Sequence, residues 1–332
     1  MSPPEYVTRL PPGSAVSATM LVTAIESRSF GEGKDCIVLT LSDRGGRIDS
    51  APFWPARQPL LAQIGRGAVV TLTGQVRSYR GRRQLEIARI APLTDADPVA
   101  YLPSAGDPAP LWARLDGWRA GIRAPRLAAV VSLFYDDAEF RHRYGQCPAS
   151  TAGHHASVGG LLQHTCEVAT IGQVVAAASG ADQDLVLAGA LLHDIGKLES
   201  YRWDTGFEMT DAGALLGHVA LGLLMLSRRV GERGPPCTAT ELLLLQHLIG
   251  SHHGRLEFGA TAPPMTLEAE VLHYADDASA KSASMAQAVA DAAHFEGEGL
   301  LSSRGVWQLD RRRVYRGASD WGGKKERPTS RG

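Results

Sequence analysis

The residues with the clearest chemical meaning are His193 and Asp194, which end a continuous apolar run and are soon followed by Lys197. A buried imidazole beside a carboxylate costs several kcal/mol unless another group pairs with both. A divalent metal ion fits best, because neutral imidazole and carboxylate are both good ligands for one. The pair therefore predicts a metal site, with Lys197 at its rim as a positive charge for a phosphate.

Five further positions carry the same two kinds of side chain, each on or just beyond a predicted helix and within an apolar face. They are His164, His218, His252, His253 and Asp276. Helical bundles build metal sites from side chains on facing helices. Each histidine taken alone would more often be an ordinary core or surface residue. Together they suffice for two metal ions about 3.5–4 Å apart, a spacing that suits hydrolysis of a phosphoester.

Apolar periodicity predicts that the chain is helical from Leu111 onward. The predicted helices are 111–121, 125–135, 137–144, 158–179, 183–196, 213–230, 239–250 and 267–294. Glycine and proline residues separate several of them, as at Gly180 and Pro263–Pro264. This half of the chain is therefore expected to be an all-α bundle.

The first hundred residues alternate in the manner of short strands. The predicted strands are 17–27, 36–42, 48–53, 68–74 and 84–90. Five short strands separated by glycine-rich or charged turns indicate a small all-β barrel. The proline-rich segment from Asp95 to Pro110 is predicted to link it to the helices. The fold class is thus multidomain, an all-β barrel followed by an all-α bundle.

Composition limits the class of protein. With 332 residues the chain is long enough for two domains, since single cores rarely grow beyond about 250 residues. The net charge of −1 means that any nucleic-acid affinity must come from a local basic patch. Four scattered cysteines form no Cys-x-x-Cys pair, and no apolar run approaches the roughly 18 residues of a membrane helix. We expect a cytoplasmic protein with no membrane partner.

The metal-site residues carry a family resemblance. His164, the His193–Asp194 pair and Asp276 follow the ordered signature of the HD-domain metal-dependent phosphohydrolases, and the other histidines resemble those of its two-metal members. Residues 149–165 and 251–259 are similar to one branch, the YhaM-type 3′–5′ exoribonucleases. The resemblance covers roughly residues 15–315.

The resemblance implies a function and a set of roles. The chain would release nucleoside 5′-monophosphates from the 3′ end of single-stranded RNA. Whether DNA is also a substrate, and whether the protein is a homo-oligomer, stays open. The implied metal ligands are His164, His193, Asp194, His218, His252 and Asp276. Asp194, Lys197 and His253 would act in catalysis, and His155 would contact substrate at the mouth of the site. The implied cofactor is a pair of divalent metal ions. Mn²⁺ is the expected element, and Fe²⁺, Co²⁺ and Ni²⁺ are the alternatives.

One position departs from the family pattern. The family often has an aspartate three residues after its last ligand, and this chain has Ser279 there. The adjacent Asp277 could compensate. The departure concerns a contact behind the ligands more than a ligand itself.

The β-rich half resembles the nucleic-acid-binding OB-fold in residues 39–54 and 65–87. Its arginines would follow an RNA backbone and its aromatic rings would stack on bases. The predicted nucleic-acid-binding residues are Phe53, Trp54, Arg77, Tyr79, Arg80, Arg82 and Arg83. Strand alternation allows only one of Phe53 and Trp54 to face the groove. The alternative is that one aromatic is core and the arginines form a solvated turn.

The predicted domains are an OB-fold at 1–95, a linker at 96–110, an HD phosphohydrolase domain at 111–317 and a disordered basic tail at 318–332. Two other functions stay open. A hydrolase of small nucleotides would be little inhibited by excess single-stranded RNA, whereas an exonuclease would be strongly inhibited. A non-catalytic nucleic-acid-binding module would lack bound metal.

Overall fold

The computed structural model describes residues 6–29, 35–79, 81–234 and 236–317. The chain divides into two compact units. The described residues of one lie within 6–104, 203–206 and 291–303, and those of the other lie within 105–202, 207–290 and 304–317. Arg80 and the predicted tail lie outside the described residues.

The first unit is built on one antiparallel sheet. Its strands are β1 (Ala15–Ser29), β2 (Asp35–Asp43), β3 (Gly46–Asp49), β4 (Val69–Tyr79) and β5 (Arg82–Pro92). Their order across the sheet is β3-β2-β1-β4-β5. Burial alternates along β5, where Leu85 and Ile87 are buried and Glu86 between them is exposed.

The sheet curls so that its two edges approach each other. Ser50, just after β3, forms an isolated parallel bridge with Leu85 of β5, and the Ala51 N–H donates to the Leu85 carbonyl at 2.8 Å. A single bridge does not close a barrel, so the predicted barrel is open along this seam. Met20, Val70 and Leu85 belong to the apolar core inside the curl. The arrangement fits an OB-type fold.

The second unit is helical. Its helices are α1 (Ala109–Gly121), α2 (Pro125–Tyr135), α3 (Ala138–Gln146), α4 (Gly160–Ser179), α5 (Gln183–Leu192), α6 (Lys197–Ser200), α7 (Asp211–Arg233), α8 (Ala239–Ser251) and α9 (Leu267–Ala290). A two-stranded hairpin, β6 (Tyr201–Arg202) and β7 (Glu208–Met209), lies between α6 and α7. Neither α6 nor this hairpin was predicted from the sequence, because segments of two to four residues carry no periodic signal.

Helix α5 is the central element of the bundle, since every residue from Val186 to Leu192 is buried. Gly189 allows close packing: a Cβ there would lie 2.4 Å from Leu248 of α8 and 3.1 Å from Leu272 of α9. The Tyr135 hydroxyl donates to the Leu191 carbonyl at 2.7 Å. This bond satisfies a carbonyl of the last turn, where a helix leaves such groups unpaired, and so fixes the end of α5.

Helix α7 qualifies the expectation about membrane segments. Among the described residues it is the one helix long and apolar enough to cross a membrane by length and composition. Gly217 interrupts it with φ 72° and ψ 157°, which are not helical values. Beyond this kink Val219, Leu226 and Val230 are buried. Helix α7 is therefore kinked, and one part of its surface is buried within the helical unit.

Candidate metal centre

Three side chains from three helices form a first group of potential metal ligands. His164 of α4, His193 at the end of α5 and Asp276 of α9 place their ligand atoms within 4.8 Å of one another. The His164 Nε2 atom lies 3.0 Å from Asp276 Oδ1, and His193 Nε2 lies 3.8 Å from the same oxygen. His164 and His193 are buried, and Asp276 is partly buried.

Three histidines form a second group. His218 follows the kink in α7, and His252 and His253 follow the last residue of α8. Their ligand atoms also lie within 4.8 Å of one another. His252 is 1% exposed, and His218 and His253 are partly buried.

The Asp194 carboxylate joins the two groups. Its Oδ2 atom lies 3.1 Å from His193 Nε2 and 3.4 Å from His164 Nε2. Its Oδ1 atom lies 3.3 Å from His218 Nε2 and 3.8 Å from His252 Nε2. Each oxygen of one buried carboxylate therefore faces a different set of imidazoles.

Backbone carbonyls fix the orientation of three of the rings. The Nδ1 atom of His193 bonds the Ala190 carbonyl at 2.8 Å, and that of His252 bonds the Ile249 carbonyl at 2.7 Å. The Nδ1 atom of His253 bonds the carbonyl of the exposed Phe258 at 2.6 Å. Because a carbonyl only accepts, Nδ1 carries the proton in each ring. Nε2 is then available to a metal ion.

The donor set fits divalent ions. Among the described residues, Asp194 Oδ1, His218 Nε2 and His252 Nε2 are buried without a hydrogen-bond partner. Buried polar atoms in native proteins are nearly always paired, and each one left unpaired costs about 1–3 kcal/mol. Three such atoms at one point are explained if they face a cation.

The pKa shifts of His218, His252 and Asp194 favour the protonation states that metal ligands need. Burial lowers the pKa of His218 to about 3 and that of His252 well below its ordinary value, so both rings are neutral at pH 7. Burial acts to raise the pKa of Asp194, but Lys197 and His193 outweigh it and hold that pKa well below the usual range. His218 and His252 are thus neutral imidazoles beside an ionised carboxylate.

Lys197 lies deeper than the predicted rim position. It is the first residue of α6 and is 9% exposed, and its Nζ atom lies 2.6 Å from Asp194 Oδ2. Burial acts to lower the pKa of Lys197, but Asp194 outweighs it and raises that pKa above its ordinary value. Lys197 therefore stays charged and holds the shared carboxylate in place.

A cavity of about 250 Å³ opens onto the centre. It is lined by His154, His164, Lys197, His253, Phe258, His273, Asp276, Asp277 and Ala280. Members of both ligand groups and Lys197 therefore face one space. Sequence reasoning did not assign Phe258, whose ring is 61% exposed. Its place within the Ser251–Gly259 segment was the available signal.

Comparisons with known proteins agree with this geometry. Residues 161–281 match the family model described as HD domain. Over 284 residues the chain is 31% identical to the 3′–5′ exoribonuclease YhaM of Bacillus subtilis (strain 168). The aligned region covers 83% of this chain and 88% of that protein. The 3′–5′ exoribonuclease YhaM of Geobacillus sp. (strain WCH70) is 27% identical over 274 residues, 81% of this chain and 83% of that protein. The chain belongs to the YhaM family. No solved structure matches the chain at a significant level.

Ser279 lies behind the proposed ligand His164 in this YhaM-family chain. Ser279 Oγ lies 3.0 Å from His164 Nδ1 and donates to Glu167 at 2.8 Å, whereas Asp277 lines the cavity. His155 is not at the expected mouth: its side chain is 4% exposed and faces Glu167 at 3.1 Å. Its neighbour His154 lines the cavity instead.

The OB-type unit of the YhaM-family chain corrects one prediction. Phe53 is 1% exposed, and the Arg57 guanidinium lies over its ring at 5.2 Å. It is therefore a core residue, and its prediction as a stacking platform is wrong. Trp54, by contrast, is 42% exposed.

The other predicted residues of this unit lie at the end of the β4–β5 hairpin. Tyr79 is 58% exposed and pairs in register with Arg82. Arg82 and Arg83 are exposed, whereas Arg77 is paired with Glu86 at 2.8 Å. Arg80 lies outside the described residues. The exposed aromatic and basic side chains thus share one hairpin tip.

The tight approach of α6 to α7 gives a test of how the centre is positioned. A Cβ on Gly196 would lie 2.0 Å from the His218 carbonyl oxygen and 2.4 Å from the Gly222 nitrogen. We expect Gly196→Ala to lower the free energy of unfolding by about 1–3 kcal/mol and to weaken Mn²⁺ binding, because the His218 backbone must move. Urea denaturation and calorimetric titration measure the two effects.

Gly231→Ala is the matched control. Gly231 is an exposed residue of α7, and no atom of the described residues lies within 4 Å of a Cβ added there. That variant should be as stable as the parent, or up to about 1 kcal/mol more stable, because alanine is the better helix former. Equal stability and equal Mn²⁺ affinity in both variants would contradict the close-packing argument.

Proposed function

We propose that this chain is a metal-dependent 3′–5′ exoribonuclease that releases nucleoside 5′-monophosphates from single-stranded RNA at a centre of two divalent ions. Its similarity to the exoribonucleases named YhaM supports the reaction and the direction. The arrangement of Asp194 carries the two-ion part, because each of its oxygens faces a separate set of imidazoles.

The proposed ligands form two sets that share one bridge. His164, His193 and Asp276 would hold the first ion, and His218 and His252 would hold the second. Asp194 would be shared by both. Bound ions supply the positive charge that activates water for attack on phosphorus and offsets charge on the leaving oxygen. In the proposed reaction, the oxygen of the attacking water bonds to phosphorus, and the bond between phosphorus and the 3′ oxygen breaks. The shortened RNA keeps a 3′ hydroxyl.

Two further side chains act on the substrate. Lys197 is a charged ammonium on the cavity wall, so it attracts the scissile phosphate and stabilises the charge that develops on it. His253 lines the same cavity, with Nδ1 held by the Phe258 carbonyl. Its Nε2 therefore faces the centre, where it can hold the proton that the leaving 3′ oxygen requires.

The OB-type unit is proposed to hold the RNA chain. Trp54 and Tyr79 have exposed rings suited to stacking on bases, and Arg82 and Arg83 are exposed cations suited to the backbone. Retaining the strand raises the local concentration of the next scissile bond after each cut. We further propose that the metal is Mn²⁺, since a histidine-rich centre suits a transition metal. We also propose that the protein is located in the cytoplasm.

Replacing the shared carboxylate tests the proposal. With Mn²⁺ and a 5′-labelled single-stranded RNA, the parent protein should give a ladder that shortens from the 3′ end and should release nucleoside 5′-monophosphates. Asp194→Asn should reduce the rate by more than about 100-fold, since ligands matter more than the groups behind them. A chelator should abolish activity, and added Mn²⁺ should restore it.

Asp211→Asn, an exposed acid at the start of α7, is the matched control and should leave the rate unchanged. Full activity of Asp194→Asn, or products cut from the 5′ end, would contradict the proposal. Hydrolysis of mononucleotides that excess RNA fails to inhibit would favour the small-nucleotide alternative. A matched DNA oligonucleotide reports the sugar preference.

The exposed ring at the cavity gives a second test. Phe258 is proposed to stack on the 3′-terminal base, a contact worth about 1–3 kcal/mol. Phe258→Ala should therefore raise KM for RNA by about 5- to 150-fold. It should raise KM far less for RNA whose last nucleotide lacks a base.

Leu256→Ala is the control for Phe258→Ala. Leu256 lies on the same 3₁₀ turn and is 63% exposed, but it does not line the cavity. Its KM should match that of the parent protein. If the two variants behave alike on both RNAs, Phe258 does not contact the terminal base.

A further inference from the structure

A chain of hydrogen bonds runs from His164 to a carboxylate on the same helix. Ser279 Oγ donates its single proton to Glu167 Oε2 at 2.8 Å. The same oxygen lies 3.0 Å from His164 Nδ1, so it must accept a hydrogen bond from that nitrogen. Nδ1 therefore carries a proton, and Nε2 faces Asp276 and Asp194.

Glu167 is held as a charged acceptor from several sides. Its Oε1 atom accepts from Gln163 Nε2 at 3.0 Å, and His155 Nε2 lies 3.1 Å from its Oε2. Burial acts to raise the pKa of Glu167, but the His155 and Ser279 bonds outweigh it and lower that pKa to about 2. Glu167 is ionised at neutral pH, so a negative charge stands behind Ser279.

The loop before α4 supplies His155 at an energetic cost. His155 has φ 52°, a left-handed value that a residue with a Cβ adopts only under constraint, at about 1–3 kcal/mol. Its ring is buried against His164, with ring centres 5.5 Å apart. The constrained backbone therefore directs an imidazole onto Glu167, which explains why His155 is not at the mouth of the site.

We propose that Glu167 is a positioning residue that acts through Ser279 to orient His164 toward the first divalent ion. The Ser279 hydroxyl brings no charge of its own. The charge comes from Glu167, one helical turn beyond His164. Carboxylates behind ligand histidines typically contribute about 10- to 100-fold in metal affinity. The inference rests on the proposed metal centre.

Metal titration of the full-length protein, free of RNA, tests the relay. Glu167→Gln keeps the shape and removes the charge, and Ser279→Ala removes the connecting hydroxyl. Each should weaken binding of the first Mn²⁺ by about 10- to 100-fold. Ser179→Ala, which changes an exposed serine at the end of α4, is the matched control and should bind as the parent does.

A double variant separates orientation from packing. Glu167→Gln with Ser279→Asp places a carboxylate directly against His164 Nδ1 and should recover most of the lost affinity. Nitrogen NMR of the His164 ring should show Nδ1 protonated in the Mn²⁺-free parent and in this double variant. A double variant that stays as weak as Glu167→Gln would overturn the relay.

The outcomes distinguish this inference from the proposed function. If the parent binds no Mn²⁺ or leaves RNA intact, the proposed function fails. If the parent binds and cuts but Glu167→Gln and Ser279→Ala retain full affinity, only the relay fails. Circular dichroism checks that each variant folds. If Glu167→Gln does not fold, the Mn²⁺ affinity of Ser279→Ala, which loses only one hydroxyl, tests the relay.

Discussion

The packing of the helical unit depends on the contacts that the Asp194 carboxylate makes with side chains from several helices. This carboxylate is 1% exposed, and a buried charge is tolerated only when its partners surround it closely. Lys197 contacts one oxygen at 2.6 Å, and imidazoles from four helix ends or faces converge on both oxygens. The close packing at Gly189 and Gly196, the kink at Gly217 and the anchored end of α5 all serve to bring those partners to one point.

Much of this could be predicted from residue types and periodicity. Long amphipathic or apolar segments gave helices near their observed bounds, as with 239–250 against Ala239–Ser251. The metal-site residues were recognisable because imidazoles and carboxylates in apolar faces need a partner, and the structure brings all of them together. That they bind metal stays a proposal. Helix α5 ends at Leu192, earlier than predicted, because periodicity continues through the turn that holds His193 and Asp194.

Other features depend on contacts between distant parts of the chain. Strand alternation separated Phe53 from Trp54 but could not say which one faces inward. Lys197 was expected at the rim, yet its pairing with Asp194 draws it inside. The bond between Ser279 and Glu167 joins residues 112 positions apart, so no local pattern could reveal it. Only the packing of α9 against α4 brings them together.

The most direct measurement is anomalous X-ray scattering from a crystal of this protein grown with Mn²⁺. The account predicts two manganese peaks about 3.5–4 Å apart on either side of the Asp194 carboxylate. One should lie against His164, His193 and Asp276, and the other against His218 and His252. A single peak contacting only one set, or no peak beside Asp194, would contradict the account.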